Sequence, residues 1–214
     1  MNKSYYILGS GGFAKEVYFL AEESLDSSNK FMGFIDFKPS KTTIIVRGAE
    51  EVVIDEEYFL DTIKPDSNIF IYMGIGDPEL LEKLSIRFTN YNFPNLIHPN
   101  FVGDKKSIQL GKGNIITAGC VFTVDIEIGS YNIFNLNTTI GHDSLIADFN
   151  VFNPGANISG GVKINSGNLF GTNCTVLQML QIGTNNIIGA SSLANKNIHD
   201  NSIMVGVPAK KITR

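Results

Sequence analysis

The sequence predicts a two-part chain: a small α/β unit with a parallel sheet, then a parallel β-helix. Three observations carry this. Strand-like and helix-like runs alternate in the N-terminal half. Every sixth residue from Leu110 to Ala194 is apolar. Glycine or asparagine often follows those apolar positions directly.

Residues 5–8 (Tyr-Tyr-Ile-Leu) read as a strand, and Gly9-Ser10-Gly11-Gly12 follows as a turn. Residues 13–21 have helical character, and Phe31 to Phe37 reads as a second strand. A further strand spans Asn68 to Met73. Pro78 to Phe88 reads as a helix with Asp77 as its N-cap and Pro78 at N1. Tyr91–His98, punctuated by Pro94 and Pro99, leads out of this unit. The expected division is 1–97 and 98–214.

The second unit rests on the series Leu110, Ile116, Phe122, Ile128, Phe134, Ile140, Ile146, Phe152, Ile158, Ile164, Phe170, Val176, Ile182, Ile188 and Ala194. With apolar residues at 43%, chance gives such a run about three times in a million. Neither a helix nor an ordinary strand has period six. Three six-residue sides make a triangular coil of 18, so the series makes five coils, stacked at roughly 4.8 Å. Gly111, Gly129, Gly141, Gly171, Gly183 and Gly189 follow the anchors, with Asn135, Asn153, Asn165 and Asn195 in four more places. These residues tolerate left-handed backbone angles, so the turn is expected there. Four places after each anchor lies a second inward position, often small: Cys120, Thr138, Ser144, Ala156, Cys174, Ser192.

Composition narrows the function. The chain has 214 residues, 18% charged, with a net charge of −4. This gives a packed core and no basic surface for nucleic acid or anionic lipid. No apolar run approaches the roughly 20 residues of a membrane span, and the N-terminus lacks the pattern of an export signal. A cytoplasmic location is expected. Cys120 and Cys174 lie three coils apart at the same inward position, which makes them buried fillers.

Chemistry concentrates in few places. Gly9-Ser10-Gly11-Gly12 at a strand-to-helix junction can offer backbone N–H groups to a phosphate, and Asp36 stands where a mononucleotide fold carries an acid. A simple tight turn explains the glycines equally well. The unit leaves no room for a second mononucleotide half, so NAD is not expected. His142 is the one histidine inside the repeat, and Asp143 follows it. An outward imidazole beside a carboxylate can act as a general base, although an exposed polar pair at a corner reads the same way. His98 and His199 read as capping or surface residues. A three-histidine zinc site needs histidines on neighbouring coil faces, and the repeat offers one, so no metal is expected.

The whole chain resembles bacterial sugar acyltransferases that join an N-terminal nucleotide-sugar domain to a C-terminal left-handed β-helix. Three stretches carry the likeness: Gly9-Ser10-Gly11-Gly12-Phe13-Ala14-Lys15-Glu16-Val17, then Ile140-Gly141-His142-Asp143-Ser144-Leu145-Ile146-Ala147-Asp148-Phe149, then Val205-Gly206-Val207-Pro208-Ala209-Lys210. The resemblance implies a homotrimer that uses acetyl-CoA, with each site between two neighbouring β-helices. His142 then matches the general base, Asp143 its acidic partner, and Asn135 a polar residue near the reacting group. The Gly160 N–H, one coil beyond His142, would face the oxyanion. Gly11, Gly12, Phe13, Asp36 and Lys38 would meet the nucleotide-sugar. Val151, Thr172 and Ala190 would line the cofactor channel. Many relatives carry histidine where this chain has Val151 and Phe13. The implied reaction is N-acetylation of a UDP- or dTDP-linked 4-amino-sugar. Its rivals are O-acetylation of sialic acid or another sugar hydroxyl, and a non-catalytic scaffold or nucleotide-sugar sensor.

Overall fold

The computed structural model describes residues 3–213. Its N-terminal unit is β1 (Lys3–Leu8), α1 (Gly12–Ser24), β2 (Asn29–Asp36), β3 (Thr43–Val46), β4 (Ala49–Asp55), α2 (Glu56–Thr62), β5 (Ile69–Met73) and α3 (Pro78–Arg87). The strands form one sheet in the order β3-β4-β2-β1-β5. The alternating pattern of the sequence predicts a parallel sheet. Instead β3 runs antiparallel to β4, closing a hairpin through Arg47 and Gly48, both at positive φ (52° and 83°). Such a two-residue turn matches the twist of paired strands, and glycine takes its second place without strain. The Asp77 side chain accepts from Leu80 N–H at 2.9 Å and Pro78 opens α3, as the local sequence requires.

The remainder is a three-sided parallel β-helix. Its first face holds Leu96–Ile97, Ile115–Ile116, Ile133–Phe134, Val151–Phe152, Leu169–Phe170, Ile187–Ile188 and Ile203–Val205 in parallel register. The second runs from Val102–Gly103 to Leu193–Ala194, and the third from Ile108–Leu110 to Gln181–Ile182. Partners lie 18 residues apart through the body, as in Phe122↔Ile140 and Ile146↔Ile164. The winding exceeds the five expected coils. Ile97 pairs with Ile116 and Gly103 with Phe122, one residue out of phase, because the turn from Gly103 to Leu110 is longer by one. Ile188 pairs with Met204 across 16 residues because the last turn is shorter by two. Both changes break the period without breaking the ladder. The first strand of this unit starts at Leu96, slightly ahead of the expected division at 97/98.

Positive φ does recur with period six, but not beside the anchors. It falls three places after every anchor from Leu110 to Ile188, from Gly113 and Gly119 through Asn137, Asp143 and Gly161 to Ser191. The glycines that follow anchors have another reason. A Cβ on Gly111 would lie 2.6 Å from the Gly129 carbonyl carbon, and one on Gly141 would strike the Gly160 amide nitrogen. Adjacent coils approach so closely at those corners that no side chain fits.

Two ladders fill the prism. Phe134, Phe152 and Phe170 stack with centroids 4.8 and 4.5 Å apart and planes 7° apart. Asn114, Asn132, Asn150, Asn168 and Asn186 are wholly buried, and each Oδ1 accepts the backbone N–H one coil on. These are otherwise orphaned corner donors, and an unmet buried N–H would cost about 1–3 kcal/mol. Cys120 and Cys174 are fully buried fillers, and burial pushes their thiols up to about 11 and about 12. The N-terminal unit packs on the first face. Ile115, Ile133 and Val151, which point outward from it, join Leu20, Phe93 and Tyr131 in one apolar core.

Candidate active site

At the N-terminal unit the Gly9 to Gly12 turn delivers the chain from β1 into α1. Gly9 sits at φ 97°, where a Cβ would meet the Gly74 carbonyl oxygen at 3.0 Å. Gly11 is the N-cap and offers no side-chain cap, and nothing lies within 4 Å of a Cβ on Gly11 or Gly12. No side chain caps the first amides of α1, an arrangement that suits a phosphate. Beside this turn lies a cavity of about 250 Å³ between Gly9, Asp36, Phe37, Glu56, Ile75 and Lys83. It sits at the carboxyl ends of β1, β2 and β5. There the strand order turns back, since β2 and β5 flank β1 on opposite sides.

Asp36 reaches this cavity but already serves the protein. One oxygen accepts from Ser10 Oγ and the other from Phe37 N–H at 2.8 Å. The carboxylate thus ties the glycine turn to the end of β2, with lone pairs remaining for a ligand. Lys38 is exposed at φ 45°, its ammonium 5.1 Å from the Phe37 ring centroid. Phe13 is half-buried and packs against the core.

On the β-helix, His142 and Asp143 form the corner between the second and third faces. Their side chains are 57% and 64% exposed, and His142 Nδ1 stands 2.7 Å from Asp143 Oδ2. With Nδ1–H given to the carboxylate, Nε2 keeps its lone pair. The ring lies over Gly160 of the next coil: a Cβ there would be 2.5 Å from Nε2 and 2.6 Å from Cε1. Gly160 is buried, and among the described residues its N–H has no protein acceptor. Gly141 carries no side chain to crowd that amide, whose nitrogen a Cβ there would strike. A base and an uncommitted N–H donor thus meet one coil apart.

Other expected site residues lie elsewhere. Asn135 is 9% exposed at the neighbouring corner, between the first and second faces, its Oδ1 accepting from Leu136 N–H at 2.8 Å. Thr172 and Ala190 are exposed on that same corner, one coil apart. A single chain does not bring these three to His142. Val151 is 1% exposed in the core beneath the N-terminal unit. Its side chain has no surface to offer a cofactor, so its role here is to dock the two units.

One residue outran its sequence reading. His98, expected as a cap or surface group, does accept from Asn100 N–H through Nδ1 at 3.1 Å. It also lines a largely apolar cavity of about 520 Å³ between α1 and the β-helix, with Lys15, Phe19, Leu20, Ala118 and Leu136. Only the pair His-Pro near the unit boundary hinted at it. Among the described residues no three His, Cys, Asp or Glu side chains are grouped to hold a metal, and no helix is long and apolar enough to cross a membrane.

No protein-family model and no curated protein matches the chain. Solved structures do. Perosamine N-acetyltransferase from Caulobacter crescentus, as a His-to-Asn variant in complex with CoA and GDP-perosamine, is 25% identical, with a TM-score of 0.88 over 100% of this chain and 99% of that one. WeeI from Acinetobacter baumannii AYE is 25% identical, with a TM-score of 0.85 over 98% of this chain and 100% of that one. The acetyltransferase domain of PglB from Neisseria gonorrhoeae, in complex with acetyl coenzyme A, shares the fold at 24% identity and a TM-score of 0.86 over 99% and 100%. By structure the chain therefore matches perosamine N-acetyltransferase along its full length and shares its fold with the PglB acetyltransferase domain.

Proposed function

We propose that the chain is an acetyl-CoA-dependent N-acetyltransferase acting on a nucleotide-linked 4-amino-sugar. The observation that carries this is the exposed His142–Asp143 pair set over Gly160 and its uncommitted N–H, in a chain of this overall shape. UDP and dTDP are the nucleotides implied by the family resemblance; GDP joins them because a full-length structural relative was solved with GDP-perosamine.

The amides of Gly11 and Gly12 and the cavity at Asp36 would take the diphosphate and nucleoside. The amino-sugar would extend into the cavity between α1 and the β-helix, which reaches Leu136 beside Asn135. His142 and Asn135 occupy different edges of one prism. In a homotrimer, the His142 edge of one copy would face the Asn135, Thr172 and Ala190 edge of the next and complete the site. No metal enters this scheme.

His142 Nε2 accepts a proton as the acceptor amine forms its bond to the thioester carbonyl carbon. Asp143 holds Nδ1–H and steadies the imidazolium. The Gly160 N–H donates to the oxygen as its charge grows. When the C–S bond breaks, the imidazolium returns the proton to the departing sulfur, so every proton and electron pair is accounted for. General-base assistance is worth about 10²–10⁴-fold.

The test is release of CoA thiol from acetyl-CoA across a panel of nucleotide-linked amino- and hydroxy-sugars. His142→Ala is expected to lower kcat by about 100-fold or more without changing the oligomer. Near-normal turnover removes His142 from the chemistry. Transfer to hydroxyls alone makes the protein an O-acetyltransferase. Nucleotide-sugar binding without any transfer makes it a sensor or scaffold.

A further inference from the structure

We propose that Met179 sets the size of the acyl group this site accepts, by closing the far side of the shelf on which His142 works. The inference rests on the acyl-transfer reading above and deepens it.

The shelf is Gly160-Gly161. His142, one coil before, lays its ring where a Gly160 side chain would be. Met179, one coil after, lays its thioether where a Gly161 side chain would be, with Cε 3.0 Å from that position. The three coils are tied at this corner. Gly161 N–H donates to the His142 carbonyl at 2.6 Å, and Met179 N–H donates to the Gly160 carbonyl at 3.0 Å. The general base and the thioether therefore occupy neighbouring places on two side-chain-free residues.

Met179 is out of character for its position. It sits at φ 61°, a left-handed conformation that long L side chains resist, where its own corner otherwise carries Asp125, Asp143 and Gly161. Tyr131 and Phe149 also take positive φ, but the N-terminal unit covers them. Met179 is 68% exposed, so packing within the chain does not explain it. A strained, exposed apolar side chain beside a catalytic corner is a feature that function can account for.

The chemistry fits an alkyl group. With the thioester oxygen on Gly160 N–H and its carbon within reach of the amine at His142, the acyl tail has the Gly161 side of the shelf to occupy. Leu177, also exposed on this edge, extends the apolar surface. A polarizable thioether against a methyl group gives good contact, and its length leaves little room beyond two carbons.

The experiment compares acetyl-CoA with butyryl-CoA in wild type, Met179→Ala and Met179→Leu. The kcat/KM ratio of butyryl to acetyl transfer is expected to rise at least about tenfold in Met179→Ala, the scale of two methylenes in an apolar site. Met179→Leu should keep the wild-type ratio. Calorimetric titration of both thioesters without acceptor should show the same change in relative affinity. An unchanged ratio overturns the proposal. So does an equal loss of affinity for both thioesters and free CoA, which would make Met179 a contact for the shared CoA arm. If wild type transfers no acyl group to any acceptor, the proposed activity falls, and the calorimetric ratio alone decides the role of Met179.

Discussion

Gly160→Ala puts one methyl group where the imidazole now rests. That methyl carbon would lie 2.5 Å from His142 Nε2, and ordinary contact begins near 3.4 Å, so the ring must withdraw by about 0.9 Å. The backbone at Gly160 is not among the positive-φ positions, so alanine itself fits the coil. His142 is exposed and can swing into solvent, so the fold should lose less than about 1 kcal/mol. Displacing a reacting group by about 1 Å costs on the order of 100-fold. The expected result is a kcat lower by about two orders of magnitude, with the melting temperature within about 3 °C of wild type. Steady-state CoA release and thermal unfolding measure the two. Because the loss runs through His142, the double variant with His142→Ala should fall no further than His142→Ala by itself. Turnover within threefold of wild type, or fully additive losses, would refute the placement of the base over Gly160.

Three more outcomes follow from the packing. Asn150→Ala strands the Asn168 N–H inside the prism and should destabilise the chain by about 2 kcal/mol, seen as a lower urea midpoint; no change would mean the ladder contributes nothing. Phe152→Ala removes the middle ring of the stack and should cost about 3–5 kcal/mol in the same assay, whereas Phe152→Leu should cost clearly less. The thiols of Cys120 and Cys174 are raised from an ordinary 9.0, mainly by burial, so the folded chain keeps protons that the unfolded chain gives up. Their share of stability is whole below pH 9.0 and is lost as pH rises toward 11 and 12. Unfolding midpoints measured from about pH 8 to pH 11 should therefore fall with pH, and both thiols should resist alkylation until the chain unfolds; rapid labelling of the native chain would contradict this.

Some features of the site can be read along the chain. His142-Asp143 is one dipeptide, and Gly160 follows from counting one 18-residue coil. Others hide for definite reasons. Asn114, Asn132, Asn150, Asn168 and Asn186 recur every 18 residues, but asparagine in an apolar lattice looks like a surface residue until the corner amides it satisfies are in view. Ile115, Ile133, Val151, Leu169 and Ile187 mark the first face as apolar outside as well as inside, which is the signal for what the N-terminal unit covers. That signal also explains why Val151 is packed instead of facing a cofactor. The β3–β4 hairpin hid because β3 has only four residues and β4 buries only Val53, so neither shows a clear apolar pattern.

Whatever repeats or is local can be read along the chain alone: the six-residue side, the coil of 18, the inward fillers, the capped start of α3, the imidazole beside its carboxylate. Such features depend on neighbours at fixed spacing, and a lattice of identical turns transmits that spacing along the chain. Three relations emerge only once the chain is folded: which prism face the N-terminal unit buries, that His98 enters the cavity between the units, and that Asn135 and His142 stand on separate edges. Those relations depend on two unlike surfaces meeting, and no period in the sequence encodes where they touch.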